Sequence, residues 1–460
     1  MPMNIQRRQF LKAGALAWGA LGINLFAPGL FQRRLLAADI PSDRKLIFIF
    51  QNGGNDGINT LIPSGDLSYN SDTRPTLYIP PAQAIDTGNG FAHLHPALQP
   101  LMEVYNHSSL NGVAGPGNLA VLHRIGYSDQ SRSHFDSQQY WQNGVPGKAS
   151  LEEGMFYRHL AQTTDLDSEE NAFVAAAISS AQMVALKGSR PFPNFSRASE
   201  FSFSGSGAKA LKTLGALPST NPESYGSGIL GLYGGPQDDP SRLYRPLVHR
   251  TGKLLGSTMG ILQSALAQGT YTPANGAVYG TDNLGRKLME AAMLFKRTPV
   301  KIVGMTLGGW DTHTGQGQIT GSQPTLLGQL ARGIQAIHRD LQDQWDKLLI
   351  VTMTEFGRTS EENGSRGTDH AESGVVFVAG GGVKGGIYNC DSTTWKSGDI
   401  FSSRNGRYLA KATDFRGVFG EVFTRHFGDS HALLDKIIPG YTAAAAADPK
   451  GFQPLNFLPA

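Results

Sequence analysis

Several Asp, Glu and His residues of this sequence have the spacing that ligands of a divalent cation require. They lie in three short, glycine-flanked motifs: Gly-Gly-Asn-Asp-Gly (53–57), Gly-Gly-Trp-Asp-Thr-His (308–313) and the stretch 354–370. Such side chains, held by glycine turns, are typical metal ligands. We therefore predict that the following residues are metal ligands or support them: Asp56, Asp311, His313, Glu355, Asp369 and His370.

Each motif also has a plainer interpretation. Asn-Asp-Gly around Asp56 is a strong turn signal by itself. Asp311 could cap the next element and leave His313 exposed, and Arg358, three residues after Glu355, could be its ion-pair partner. The joint placement of the motifs at strand ends favours one shared site over three unrelated ones.

A hydroxyl-rich stretch provides candidate catalytic residues. Ser133 and Asp136 have the spacing of a capping box, which predicts a helix N-terminus. A hydroxyl there, at Ser131 or Ser133, could also be a nucleophile for phosphoryl or sulfuryl transfer. Arg132, together with Arg358, could hold the oxygens of the anion that are not transferred.

Short apolar runs bounded by glycine or polar turns predict strands, and runs with helical spacing predict helices between them. The predicted strands cover 45–50, 119–122, 173–178, 300–306, 347–353 and 374–379, and the predicted helices cover 133–143, 243–267, 283–296, 324–345 and 414–427. Continuously apolar strands fit a parallel sheet that is buried on both faces. The last three of these strands are predicted to alternate with helices, and the metal motifs to lie beyond the carboxyl ends of strands.

The N-terminus predicts export. Adjacent Arg7 and Arg8 precede a weakly apolar stretch that ends in small residues at Ala37 and Ala38. This pattern indicates a twin-arginine signal peptide over residues 1–38, with the twin-arginine translocase as partner and a periplasmic or secreted location. A membrane anchor is the alternative, but an asparagine and a proline within the stretch disfavour it. We expect residues 39–460 to form a single domain that does not span a membrane.

The net charge argues against a nucleic-acid-binding protein, and the cysteine content excludes an intrachain disulfide. Residues 1–38 carry five basic and no acidic residues, so the remainder has 35 basic and 37 acidic residues and a net charge of −2. A near-neutral chain gives no electrostatic reason to expect nucleic-acid binding. Cys390 is the only cysteine, so an intrachain disulfide is excluded. A chain of this length can bury a large core without one.

Several motifs together resemble the exported bacterial family known as domain of unknown function 1501. They are Phe-Gln-Asn-Gly-Gly-Asn-Asp-Gly-Ile-Asn-Thr (50–60), Leu-His-Pro-Ala-Leu-Gln-Pro-Leu (94–101), Arg-Ser-His-Phe-Asp-Ser-Gln-Gln-Tyr-Trp (132–141), Gly-Trp-Asp-Thr-His (309–313), Thr-Glu-Phe-Gly-Arg-Thr (354–359), Gly-Thr-Asp-His (367–370) and Thr-Asp-Phe-Arg-Gly-Val-Phe-Gly-Glu-Val (413–422). The resemblance spans nearly all of the chain after residue 38.

That family is grouped with the alkaline-phosphatase-like superfamily, which includes sulfatases. The resemblance implies an α/β three-layer sandwich with a largely parallel central sheet and a two-metal site fed by loops at strand ends. For this chain we expect one or two divalent ions. Phe356 stands where the superfamily has a ligand histidine, and neither Cys390 nor Ser189 is followed by a sulfatase motif.

The resulting hypothesis is an exported, metal-dependent hydrolase of phosphate or sulfate esters, acting on a small anionic ester or on a polymer. Mixed oxygen and nitrogen ligands fit Zn, Mn or Fe better than Mg. The alternative is a non-catalytic periplasmic binding or assembly protein that retains a degenerate metal site.

Overall fold

The structure is a computed structural model that describes residues 43–106, 117–200 and 245–459. The predicted signal peptide and its Arg7–Arg8 pair lie outside these ranges. Among the helices that are described, none is both long and apolar enough to cross a membrane.

The strands of the described ranges form a large sheet and a small one. They are β1 Lys45–Gln51, β2 Leu61–Ile62, β3 Ile85–Asp86, β4 His93–Leu94, β5 Leu119–Gly126, β6 Ala175–Ile178, β7 Asn194–Phe195, β8 Ile302–Leu307, β9 Leu348–Thr354, β10 Gly374–Ala379, β11 Gly386–Tyr388 and β12 Thr413–Asp414. The large sheet has the order β11-β5-β10-β9-β1-β8-β6-β7, and β12 pairs with β5. Strands β2, β4 and β3 form the small sheet.

Helices cover both faces of the large sheet. The α-helices are α1 Gly57–Thr60, α2 Met102–Asn106, α3 His134–Asn143, α4 Met155–Thr163, α5 Arg245–Ala267, α6 Asn283–Arg297, α7 Ser322–Asp340, α8 Phe415–Glu421, α9 His431–Ile437 and α10 Tyr441–Ala447. A π-helical turn, Val422–His426, continues α8. Short 3-10 turns cover Pro81–Gln83, Pro96–Leu101, Glu169–Asn171, Val184–Leu186, Ala198–Glu200, Gln342–Lys347 and Asp399–Phe401.

Alternate residues of β1 show how the layers pack. Ile47 and Ile49 belong to one apolar core, which includes residues of α6 and α7, whereas Phe48 and Phe50 belong to a second core with residues of α4 and α8. A sheet buried on both faces requires apolar side chains at successive positions, as this strand has. The predicted α/β fold, a sandwich around a largely parallel sheet, is confirmed.

One part of the predicted topology is wrong. Strands β8, β1 and β9 are parallel neighbours, with α7 between β8 and β9 in the sequence, as predicted. However, no helix of the described chain lies between β9 and β10, and β10 runs antiparallel to both β9 and β5. Residues 355–373 instead form a loop, so the chain returns directly down the sheet. The start of β10 therefore lies at the same edge as the end of β9.

Candidate metal centre

Loops from several strands meet at one edge of the large sheet. The carboxyl ends of β1, β8 and β9 lead into residues 52–56, 308–313 and 355–370. The loop after β5 reaches the same edge because β5, like β9, runs antiparallel to β10. Side chains that lie far apart in the sequence can therefore converge there.

Four of these side chains bring their donor atoms together. Asp311 Oδ1 lies 3.1 Å from Nε2 of His313 and 3.1 Å from Nε2 of His370. The two Nε2 atoms are 2.9 Å apart, and Nε2 of His134 lies 3.5 Å from Asp311 Oδ2. The ligand atoms of His134, Asp311 and His370 all lie within 4.8 Å of one another. We refer to His134, Asp311, His313 and His370 as the His/Asp cluster.

Hydrogen bonds at the opposite ring nitrogens hold the three imidazoles. Nδ1 of His134 contacts the Glu355 carboxylate, and Nδ1 of His313 lies 2.8 Å from Asp369 Oδ1. Nδ1 of His370 lies 2.9 Å from the main-chain carbonyl of Arg132. Because a carbonyl or an ionised carboxylate only accepts, each Nδ1 carries the proton. A neutral ring then has its lone pair on Nε2, which is the atom that faces Asp311.

This arrangement of tautomers fits a bound cation. Two Nε2 lone pairs at 2.9 Å, beside an ionised carboxylate, repel one another unless a positive group lies between them. Ligand histidines in metalloproteins usually donate their second N–H to a carboxylate or a carbonyl. The donor set of the His/Asp cluster, three imidazoles and one carboxylate, has that support at every ring.

The pKa values of Asp311 and His370 favour the protonation state that binds a metal. Burial acts to raise the pKa of Asp311, but the hydrogen bond from Arg358 and its positive charge outweigh burial and bring the pKa down to about 2. Burial lowers the pKa of His370 below its ordinary value, despite the opposing effect of Asp311. At neutral pH the carboxylate is therefore ionised and this ring is neutral.

A buried phenylalanine and a buried arginine form the floor of the cluster. The ring centroid of Phe356 lies 4.4 Å from that of His370 and 5.1 Å from that of His134. Arg358 donates to Asp311 Oδ1 at 2.7 Å and also to the carbonyls of Gly53, Gly54, Trp310 and Thr368. All three guanidinium nitrogens of Arg358 therefore bond groups of the protein. This placement does not support the expected contact of Arg358 with a substrate anion.

Glu355 and Asp369 lie behind the ligand atoms. Glu355 is fully buried, and its carboxylate accepts from Gly53 N and Gln138 Nε2, each at 2.8 Å, as well as from His134. Asp369 Oδ1 accepts from Asn363 at 3.0 Å in addition to His313. Both residues therefore orient imidazoles, which was one of the two roles predicted for them.

Asp56 lies apart from the cluster. It is buried, its carboxylate contacts Arg74 at 2.6 Å and Gln316 Nε2 at 2.7 Å, and it caps helix α1 through Ile58 N. With both oxygens engaged in these bonds, Asp56 fits the turn-and-cap interpretation of its motif better than that of a ligand.

The hydroxyl-rich stretch forms the N-terminus of α3. Ser133 accepts from Asp136 N at 3.4 Å, as the capping-box pattern predicts. Ser131 Oγ is 3.3 Å from Ser133 N and 3.4 Å from Asp136 Oδ2. Both hydroxyls thus take part in local bonds, while Arg132 points its guanidinium at Tyr408.

The sequence analysis did not identify His134 as a candidate ligand. Its signal was its position directly after the serine cap, as the first residue of a helix that follows the loop after a predicted strand. Within that stretch, the candidates named from the sequence were the serine hydroxyls and Arg132, and not the imidazole of His134. Gln138, one turn later on α3, was also missed, although it bonds Glu355.

Two glycines allow the loops to approach this closely. A Cβ atom on Gly53, whose φ is +119°, would lie 2.3 Å from Asp311 N. A Cβ atom on Gly367 would lie 2.4 Å from the carbonyl oxygen of His313. Both distances are far below van der Waals contact, so larger residues would push apart the loops that carry Asp311 and His313.

Comparisons with known proteins find a family model and a solved structure that resemble parts of this chain. A solved structure of TAB5 alkaline phosphatase, a mutant with Mg bound, has a TM-score of 0.26 and 11% identity, over 77% of this chain and 96% of that one. A likeness of this size carries no argument about function, and no curated protein matches the chain. The family model described as "protein of unknown function (DUF1501)" matches residues 263–405, which include all of the His/Asp cluster except His134. Over this segment the chain is similar to the DUF1501 family.

Proposed function

We propose that this protein is an exported, metal-dependent hydrolase of phosphate or sulfate esters, with one divalent ion held by the His/Asp cluster. The observation that carries the proposal is the convergence of three Nε2 atoms on the Asp311 carboxylate, with each Nδ1 proton held by an acceptor. This is the state in which imidazoles bind a metal.

The charges around the cluster support a single divalent ion. Asp311, Glu355 and Asp369 contribute three negative charges, and Arg358, in contact with Asp311, contributes one positive charge. With neutral imidazoles the sum is −2, which one divalent ion neutralises. A second divalent ion would add positive charge that these carboxylates do not neutralise. In addition, the Phe356 ring packs against two of the imidazoles.

The ligand types also restrict the metal. A mixed set of imidazole nitrogens and carboxylate oxygen suits Zn, Mn or Fe, whereas Mg prefers an all-oxygen shell. The cluster is open to solvent on one side, since the Asp311 and His313 side chains are 46% and 40% exposed. A water or an ester oxygen can therefore reach the ligand atoms, as at catalytic sites.

An ion held there would polarise the ester oxygen and lower the pKa of a water molecule. The residues of the chain fix the geometry: Glu355 and Asp369 hold two imidazoles, and the Arg132 carbonyl holds the third. Arg132, whose carbonyl holds His370, also carries a guanidinium that would bind an anionic group of the substrate. Because the serine hydroxyls take part in capping the helix, a water molecule is the nucleophile that best fits the site. Ser131 or Ser133 is the alternative, which a covalent phosphoryl-enzyme would identify.

The test is metal content together with turnover. Purified protein stripped by a chelator and reloaded with Zn, Mn or Fe is assayed with 4-nitrophenyl phosphate and 4-nitrophenyl sulfate. We expect one ion per chain and turnover only in the loaded protein, lost in Asp311→Ala and His313→Ala. The matched control is His431→Ala, an exposed histidine on α9. Wild-type turnover in the Asp311 and His313 variants would reject the hydrolase.

A non-catalytic binding or assembly protein is the second candidate. It is favoured because Arg358 bonds groups of the protein, and because both serine hydroxyls accept local main-chain hydrogen bonds. In that case the ion would be a structural staple. One tightly held ion, with neither ester turned over, would support this candidate over the hydrolase.

Export by the twin-arginine route, with cleavage after residue 37 or 38, belongs to the same proposal. It is supported by the Arg7–Arg8 pair and the weakly apolar stretch that follows. Replacing both arginines by lysine should keep the chain in the cytoplasm with an uncleaved N-terminus. Unchanged export of that variant would contradict this assignment.

A further inference from the structure

Two exposed arginines lie against one buried tyrosine next to the His/Asp cluster. Cζ of Arg132 lies 5.4 Å, and Cζ of Arg407 5.7 Å, from the centroid of the Tyr408 ring. Arg132 also donates to the Tyr408 hydroxyl. Tyr408 itself is only 3% exposed. The aromatic ring thus gives both flexible side chains a fixed support through cation–π contact.

Neither guanidinium forms an ion pair with a carboxylate of the described residues. The neighbouring Arg404 differs, because it binds Glu372 at 2.8 Å. Glu372 also accepts from Ser403 Oγ at 2.6 Å, so that carboxylate is already engaged. Arg132 and Arg407 therefore present two positive charges that nearby acids of the described chain do not neutralise.

Main-chain contacts tie both arginines to the metal centre. The Arg132 carbonyl is the group that holds Nδ1 of His370. The Arg407 carbonyl accepts from Ser360 N at 3.3 Å, and Ser360 lies two residues after Arg358, which bonds Asp311. The pair therefore adjoins the His/Asp cluster.

We propose that Arg132 and Arg407, supported by Tyr408, form an anion subsite beside the metal centre. It would take a negative group of the substrate beyond the ester that reacts. The substrate class that fits is a polyanion with repeated phosphate or sulfate groups, and a simple monoester would leave this subsite unused. Guanidinium groups suit it because they bind such oxygens in pairs. The catalytic meaning of the subsite rests on the hydrolase proposed above, but its affinity for a polyanion does not.

The test is direct binding, which needs no turnover. Fluorescently labelled dextran sulfate and polyphosphate, with neutral dextran as a third probe, are titrated with metal-loaded protein, and anisotropy is followed at low and at raised salt. The variants are Arg132→Ala, Arg407→Ala and the double substitution. The charge-matched control is Arg197→Ala, an exposed arginine that follows the edge strand β7 at the other end of the sheet.

We expect each substitution to weaken polyanion binding about tenfold, in line with loss of one charge-assisted contact. The double variant should show a weaker dependence on salt, and neutral dextran should not bind. A stronger loss for dextran sulfate than for polyphosphate would assign the natural group as sulfate, and the reverse as phosphate. Wild-type affinity and salt dependence in the double variant would overturn the subsite.

Metal content separates failure of the subsite from failure of the hydrolase. All variants should retain the ion stoichiometry of the wild type, which also shows that they are folded. Polyanion binding that depends on Arg132 and Arg407 without ester turnover would leave the subsite standing and remove the hydrolase. Ester turnover together with unchanged polyanion binding in the variants would remove the subsite and leave the hydrolase standing. In Arg407→Ala, an active enzyme should show a raised KM for the polyanion and not for 4-nitrophenyl esters.

Discussion

The Glu355 carboxylate accepts a hydrogen bond from Nδ1 of His134, although 221 positions separate the two residues in the sequence. Gly53 N and Gln138 Nε2 donate to the other oxygen of Glu355, so the carboxylate is surrounded by donors. The bond fixes both the tautomer and the direction of the imidazole ring. Glu355 therefore positions the His134 ring of the His/Asp cluster.

We expect Glu355→Gln to weaken metal binding about 10–100-fold, as is typical when a residue behind a metal ligand is changed. The amide group would point an N–H at one of the three donors and lose that bond. Affinity is measured by competition with a chromophoric chelator. Glu372→Gln, at a partly buried glutamate that bonds Arg404, is the control. Equal affinity in Glu355→Gln and wild type would show that the carboxylate has no such role.

His134→Ala tests the candidate ligand that the sequence analysis did not identify. Loss of one imidazole from the cluster should reduce metal affinity by more than ~100-fold, since a direct ligand contributes more than the residues that orient it. Elemental analysis after gel filtration gives the ion content, and His431→Ala shows the effect of removing an exposed histidine. A full complement of metal in His134→Ala, at the wild-type affinity, would place this residue outside the ligand set.

Asp56→Asn should destabilise the fold without removing the metal. Asp56 and Arg74 form a fully buried ion pair, and breaking such a pair leaves an uncompensated charge, at a cost of about 3–5 kcal/mol. Urea unfolding measures the free energy, and Gln316→Ala, which removes one bond to Asp56, should give a smaller loss. Loss of the metal with unchanged stability would instead make Asp56 a ligand.

Two buried histidines predict acid destabilisation. Burial lowers the pKa of His123 and of His426 from 6.5 to about 3. Between these values the unfolded chain binds protons that the folded chain excludes, so stability is fully present above pH 6.5 and falls as the pH drops toward 3. At pH 5 the loss is about 2 kcal/mol for each histidine relative to pH 7.

Urea unfolding at pH 7 and pH 5 measures this loss. His123→Gln removes one titrating group, so its free energy of unfolding should differ less between the two pH values than that of the wild type. His431→Gln, at an exposed position, should keep the full difference. A difference unchanged in His123→Gln would mean that His123 is protonated alike in the folded and unfolded chains.

Residue types and local periodicity were enough to predict most of the longer strands and helices, but not the short strands or the helix Met155–Thr163. The strand pattern 45–50 matches β1, and the pattern 374–379 matches β10 in both bounds, because continuously apolar runs have few alternatives to a buried strand. The helical pattern 324–345 became α7 followed by a 3-10 turn, Gln342–Lys347. The direction of β10 did not follow from the sequence, since a strand's apolar pattern is the same in a parallel and an antiparallel pair.

The sequence also determined which chemistry was available, through Asp311, His313 and His370 and the glycines beside them. Only the tertiary structure decided which side chains share a centre. It placed His134 in the cluster, Glu355 and Asp369 behind it, and Asp56 with Arg74, because each contact joins residues that are distant in the chain. Local sequence sets the identity of a side chain and the turn that carries it, whereas the hydrogen-bond partner on the far side of each ring depends on how the loops pack.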